Sequence, residues 1–154
     1  MHDLLLFLHA TTKWFVVTSL PFSILYFYIS YRQKKTITKL HNQVKNTTLS
    51  IVHIQLLLGI LLYGISPITN YFWDDVAAAL SHSEIYFFGG IHFISMVIAV
   101  IIITIGNLEA KRATSDRQYY NVLLIFWSIG FLIILCAIPW PFSPFVTRPW
   151  FRFY

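Results

Sequence analysis

Three histidines, His9, His53 and His92, lie in stretches that otherwise read as hydrocarbon. A buried imidazole costs free energy unless a hydrogen bond or a metal satisfies it. Imidazoles from two helices can hold a haem iron between them, provided a flat macrocycle fits in the gap. Around His92, Gly89, Ser95 and Ala99 fall at i−3, i+3 and i+7 on the imidazole's own face, and Met96 at i+4 adds a soft thioether. Small residues there let a second helix or a flat cofactor approach the backbone. His9 and Lys13 are i and i+4, on one face of one helix. An intramembrane cation faces a bundle interior or a watery cavity. Beside a haem, Lys13 would answer the propionates; at a span edge it would snorkel to the headgroups. His53, two residues before Gln55, can ligate a metal, hydrogen-bond a quinone, relay protons or make a structural contact. His2, His41 and His82 read as solvated or interfacial side chains.

The elements that must position these groups follow from composition. The chain has 154 residues, 57% hydrophobic and only 11% charged. A soluble domain is about 25% charged, so polar surface is too scarce for a water-soluble globule. Four apolar segments stand out, at about 4–31, 49–66, 85–106 and 120–138. Each is near the ~20 residues that cross a bilayer core as helix. None alternates like a barrel strand, and backbone satisfaction in lipid leaves helices. The expectation is one all-α domain, an integral-membrane four-helix bundle. Asp3 is a candidate N-cap of the first helix, and Pro21 a candidate kink.

The rise of 1.5 Å per residue then sets depths. His92 lies about 10 Å inside the third span, and His9 about 9 Å inside the first, at the same surface. His53 lies near the opposite surface. His9 and His92 are therefore the preferred ligand pair, with His53 as the replacement.

"YRQKKTITKLHNQVK" and "NLEAKRATSDRQ", which join spans one to two and three to four, carry most of the Lys and Arg. The loop between spans two and three carries none, but has Asp74, Asp75 and Glu84. The positive-inside rule puts both basic loops in the cytoplasm and both termini outside, in the periplasm of a bacterial inner membrane. Lys13, Arg148 and Arg152 are the dissenting charges. Asp74 or Asp75 can cap a short helix through Leu80. The start lacks a basic n-region and a clear cleavage site, so it reads as part of the first helix.

Most of the Lys and Arg behind the net charge of +5 lie in two short loops flanked by apolar runs, which argues against a nucleic-acid partner. A lone Cys136 excludes an internal disulfide or a cysteine zinc site, and reads as packing. There is no Walker, GxSxG, HExxH or dinucleotide fingerprint, and no carboxylate pair within a span. Residues 139–154 are rich in Pro and aromatics and cannot be regular helix. Trp140, Trp150, Phe151 and Tyr154 suit a headgroup anchor, or a strip that docks another subunit.

"LHATTKW", "HIQLLLGILLY", "IHFISMVIAVIIITIGNLEAKRA" and "IPWPF" resemble a family of small four-helix, cytochrome-b-like membrane proteins of Bacteroidota. The resemblance covers most of the chain and falls on His9, Lys13, His53 and His92. Members carry Ser-Gly after the first histidine and an acidic residue before the third. Ala10, Thr11 and Ile91 stand there instead, so any carboxylate partner for His92 must come from elsewhere, Glu84 being near in sequence.

The expected activity is binding of haem b and electron transfer in or beside the membrane. His9 and His92 are the expected ligands, Lys13 the anion partner, and Gly89 and Met96 flank the cofactor. The rival readings are a cofactor-free accessory subunit of a respiratory or other inner-membrane complex, and a quinone-interacting or proton-relay protein using His53 and Gln55. An electron carrier or subunit is expected rather than a stand-alone enzyme.

Overall fold

The computed structural model describes residues 1–144 and 146–150. Phe151 and Tyr154, part of the expected tail, lie outside the described residues. In chain order come α1 (His2–Arg32), α2 (Lys39–Ile65), α3 (Pro67–Asp74), α4 (Val76–Ala79) and α5 (Ser83–Tyr86). A π-helical turn, Phe87–Ile91, then leads straight into α6 (His92–Lys111), and α7 (Asp116–Ala137) closes the bundle. Four helical stretches, His2–Arg32, Lys39–Ile65, Ser83–Lys111 and Asp116–Ala137, are long and apolar enough to cross a membrane. The architecture is an all-α, multi-pass bundle.

α1 packs on α2 and α7, and α6 packs on α7 and, less closely, on α2. That neighbour order places α1 and α6 diagonally across the bundle axis. The α6–α7 seam is closest. A Cβ on Gly130 would lie 2.5 Å from Ile103 Cγ1 and 3.1 Å from the Ala99 carbonyl oxygen. One on Gly106 would lie 2.5 Å from Phe126 Cβ. Without a hydrophobic drive between helices in lipid, small residues of this kind let packing hold the pair. Val16, Leu20, Phe27, Val52, Ile103, Leu123 and Trp127 fill the middle of the bundle.

α2 starts ten residues before the expected apolar boundary. Hydropathy marks where lipid begins, whereas the helix runs on through the polar turns Lys39–Thr48 under its own cap. Thr38 and His41 form that cap: the Thr38 N–H donates to His41 Nδ1 at 3.1 Å. His41 Nε2 then donates to Ser30 Oγ at 3.0 Å, and its ring stacks on Tyr26. His41 is therefore buried, not solvated as its loop-like surroundings suggest. Lys45 is buried too, with its amine 5.7 Å from the Tyr119 ring centre. Ser23 and Thr48 share a 2.7 Å hydrogen bond nearby. α1 is continuous through Pro21. Asp75 caps α4, accepting from the Ala78 N–H at 2.9 Å.

Candidate cofactor site on the bundle axis

Two prolines that flank Trp140, Pro139 and Pro141, follow the end of α7 beside the site. An α-helical carbonyl accepts from the N–H four residues on. For Leu135 and Ala137 those positions are Pro139 and Pro141, which have no N–H. α7 ends at Ala137, and both carbonyls need other donors. The Trp140 indole N–H donates to the Leu135 carbonyl at 2.8 Å. The His92 ring Nδ1–H donates to the Ala137 carbonyl at 2.7 Å. A carbonyl can only accept, so His92 carries its proton on Nδ1 and its Nε2 lone pair is left for something else.

The π-helical turn aims this ring. A regular α-helix puts i−4 on the same face as i, but not i−5. Here both Phe88 and Phe87 flank His92, with ring centres at 5.9 and 5.7 Å. The turn is pinned from outside itself. The Tyr63 hydroxyl donates to the Gly89 carbonyl at 2.6 Å, and the Trp73 indole N–H donates to Tyr63 at 3.0 Å.

His9 approaches from α1, diagonally opposite. A Cβ on Gly59 of α2 would sit 3.1 Å from His9 Cε1, so the glycine makes the ring's seat. Gln55 Nε2 donates to the His9 backbone carbonyl at 3.0 Å, while its Oε1 accepts from the Thr12 hydroxyl. The same Nε2 lies 3.2 Å from His9 Nδ1 and 3.4 Å from His9 Nε2. A donor in line with one ring lone pair would be about 5 Å from the other nitrogen, by imidazole geometry and the usual ~3 Å hydrogen-bond length. Gln55 therefore lies across the ring face and occupies neither lone-pair direction.

The His9 and His92 ring centres are 6.3 Å apart, with planes at 80°. Imidazole nitrogens bind a metal at about 2.0 Å and lie roughly 1.1 Å from the ring centre, so two rings sharing one ion have centres about 6 Å apart. An edge-to-face contact of two rings spans the same range. The hydrogen bond from His92 Nδ1–H to the Ala137 carbonyl is compatible with either arrangement.

The rings border a cavity of about 430 Å³, within the ~300–1,000 Å³ usual for cofactor sites. Its walls are mostly apolar, with Lys13, Gln55 and Met96 among the lining side chains, and Glu84, Arg148 and Pro149 also border it. No group of three or more His, Cys, Asp or Glu able to hold a bare metal ion occurs among the described residues. A macrocycle supplies its own in-plane ligands and asks the protein for only two. His9 and His92 are both in the lining of this cavity.

Of the residues expected to form the site, His9, Lys13, His92 and Met96 line this one cavity. His53 does not join them. It is exposed on α2, and its Nε2 pairs with Thr104 Oγ1 on α6 at 2.9 Å. Thr104 gives its own proton to the Val100 carbonyl, so His53 is the donor. Gly89 does not line the cavity either. Its missing side chain makes room for Phe72 of α3, whose Cγ would lie 2.3 Å from an added Cβ. Sequence reasoning missed the two free carbonyls, although the spacing of Pro139 and Pro141 announces them. It also missed the Arg148–Glu84 ion pair, which no local pattern reveals. The described part of the tail folds back on its own chain: Trp150 stacks on Trp14 at 6.0 Å, and Trp140 lies 5.5 Å from Trp150.

No protein-family model matches the chain, and no curated protein or solved structure is significantly similar to it.

Proposed function

We propose that this protein binds a b-type haem on the bundle axis and carries electrons within or beside a bacterial inner membrane. The carrying observation is the pair His9 and His92, presented by diagonal helices across one apolar cavity with ring centres 6.3 Å apart. Bound there, haem would supply one-electron chemistry at its iron. The chain's own residues do the rest. His9 and His92 would hold the haem iron. Ala137 holds the tautomer of His92, and Gln55 and Gly59 seat His9. Phe87 and Phe88 pack against the His92 ring, and Phe88 and Met96 give the cavity apolar lining. Lys13 offers a cation to the cofactor's anionic edge. The basic loops favour an orientation with the cavity toward the periplasmic face. The cytochrome-b-like resemblance of the motifs at His9 and His92 points the same way.

The test is a pyridine haemochrome assay on detergent-purified protein, with three variants. His9→Ala and His92→Ala should each lose the haem band of the parent, and His53→Ala should keep it. A band that persists in His92→Ala refutes the ligand assignment. A parent protein that takes up no haem, yet purifies in fixed ratio with other membrane subunits, supports the accessory-subunit reading instead.

A further inference from the structure

The end of the bundle that carries the basic loops holds a charge that no acid answers. Lys45 on α2 is only 2% exposed, and lysine is almost never buried so far without a partner. Its amine lies 5.7 Å from the Tyr119 ring centre, and it makes no ion pair or hydrogen bond among the described residues. Six residues of the chain are acidic. Asp3, Asp74, Asp75 and Glu84 belong to the opposite end. Glu109 pairs with Arg112 at 2.9 Å, and Asp116 accepts from the Ile37 N–H at 3.2 Å. The charged neighbour that acts on Lys45 is Lys111 of α6, a second cation. Asn42 stands one turn before Lys45 on α2. The Tyr119 hydroxyl donates to Asn42 Oδ1 at 3.2 Å, which leaves the amide NH₂ of Asn42 as a donor. A helical side chain leans toward the N-terminus of its helix, so the Lys45 amine leans toward Asn42 and the basic end. Lys45, Lys111 and Asn42 thus offer donors only.

We infer that this end of the bundle binds one phosphate group, held by the Lys45 amine with Lys111 and the Asn42 amide beside it. An anionic phospholipid and a free phosphate ester both carry that chemistry. A buried cation without a counter-ion is costly, and a bound anion offsets the cost with charge-assisted hydrogen bonds. Basic clefts between membrane helices hold phospholipid headgroups in this way. Tyr119 is a positioning residue, with its ring against the amine and its hydroxyl on Asn42. The site is separate from the haem reading. Lys45 stands fourteen residues before Gly59, the seat of His9, or about 21 Å along α2 at helical rise.

The experiment titrates the full chain in detergent, at fixed ionic strength, with short-chain phosphatidylglycerol and separately with inorganic phosphate. Native mass spectrometry counts the bound molecules, and thermal unfolding reports stability. One phosphate-bearing molecule should saturate the site. Lys45→Met keeps an apolar stem of similar length and should weaken binding by about tenfold or more, the scale of a hydrogen bond to a charged group. Without ligand, the same variant should unfold at a higher temperature than the parent, because an unpaired buried charge is gone. Asn42→Asp sets the missing acid beside the amine, and should likewise weaken binding by about tenfold or more while raising the unfolding temperature. Lys111→Gln should weaken binding by about two- to fivefold, the scale of an exposed ion pair. Inorganic phosphate that competes with the lipid extends the site to free phosphate esters, and phosphate that does not compete assigns it to the lipid headgroup. A purely structural lysine predicts earlier unfolding of ligand-free Lys45→Met and unchanged affinity for both probes. Either result overturns the inference, as does parental affinity in Asn42→Asp or the absence of saturable binding of both probes to the parent.

Discussion

Replacing Pro139 and Pro141 together by alanine should weaken haem binding without touching either proposed ligand. The substitutions supply the two N–H groups that α7 lacks, so the helix can continue past Ala137. The Ala137 carbonyl then accepts from residue 141, and the His92 Nδ1–H loses its 2.7 Å partner. A buried ring N–H left without an acceptor costs roughly 1–3 kcal/mol, and the ring can escape that cost by moving its proton to Nε2. That tautomer has no lone pair to offer the cavity. Loss of such an outer partner typically costs about 10–100-fold in metal affinity. Haem titration measures the loss, and nitrogen NMR of labelled histidine reports which ring nitrogen carries the proton. An affinity within about twofold of the parent, once NMR shows His92 has lost its Nδ1 proton, would refute the link between chain termination and ligation.

Gly59→Val should lower haem content while leaving helix content unchanged, because even a Cβ there lies 3.1 Å from His9 Cε1; normal uptake would mean that His9 is not seated on α2. Gly130→Ala should destabilise the bundle by about 1–3 kcal/mol, since its Cβ meets Ile103 and the Ala99 backbone. Thermal unfolding in detergent measures this, and an unchanged midpoint would contradict the tight α6–α7 seam. In a Cys136→Ser background, a cysteine at Lys35 should resist an impermeant thiol reagent in intact cells; labelling would reverse the orientation.

The four spans were legible because apolar runs of this length have few other solutions, and lipid forces them helical. The common depth of His9 and His92 followed from helical rise alone, and the 6.3 Å ring separation agrees with it. The start of α2 was not legible from hydropathy, because Lys39–Thr48 is polar and only the Thr38–His41 cap marks it. His41 and Lys45 looked like loop residues for the same reason, yet both are buried where the helix ends converge. Gly89 was assigned to a cofactor face by its i−3 spacing from His92. The π-helical turn between them breaks that periodicity, and a ring from α3 takes the space. His53 had the right residue type and an apolar setting, but its helix face depends on how α2 rotates against α6, which apolar content on all sides leaves unspecified. Arg148 and Glu84 are 64 residues apart, and only the folded tail brings them together.

The central claim is that two imidazoles from α1 and α6 share one haem iron. Low-temperature electron paramagnetic resonance of the oxidised, haem-loaded protein tests it most directly. Two axial imidazoles with planes near the observed 80° predict a strongly anisotropic low-spin ferric signal, lost in His9→Ala and in His92→Ala. A high-spin signal in the parent, or a low-spin signal that survives either substitution, would contradict the account.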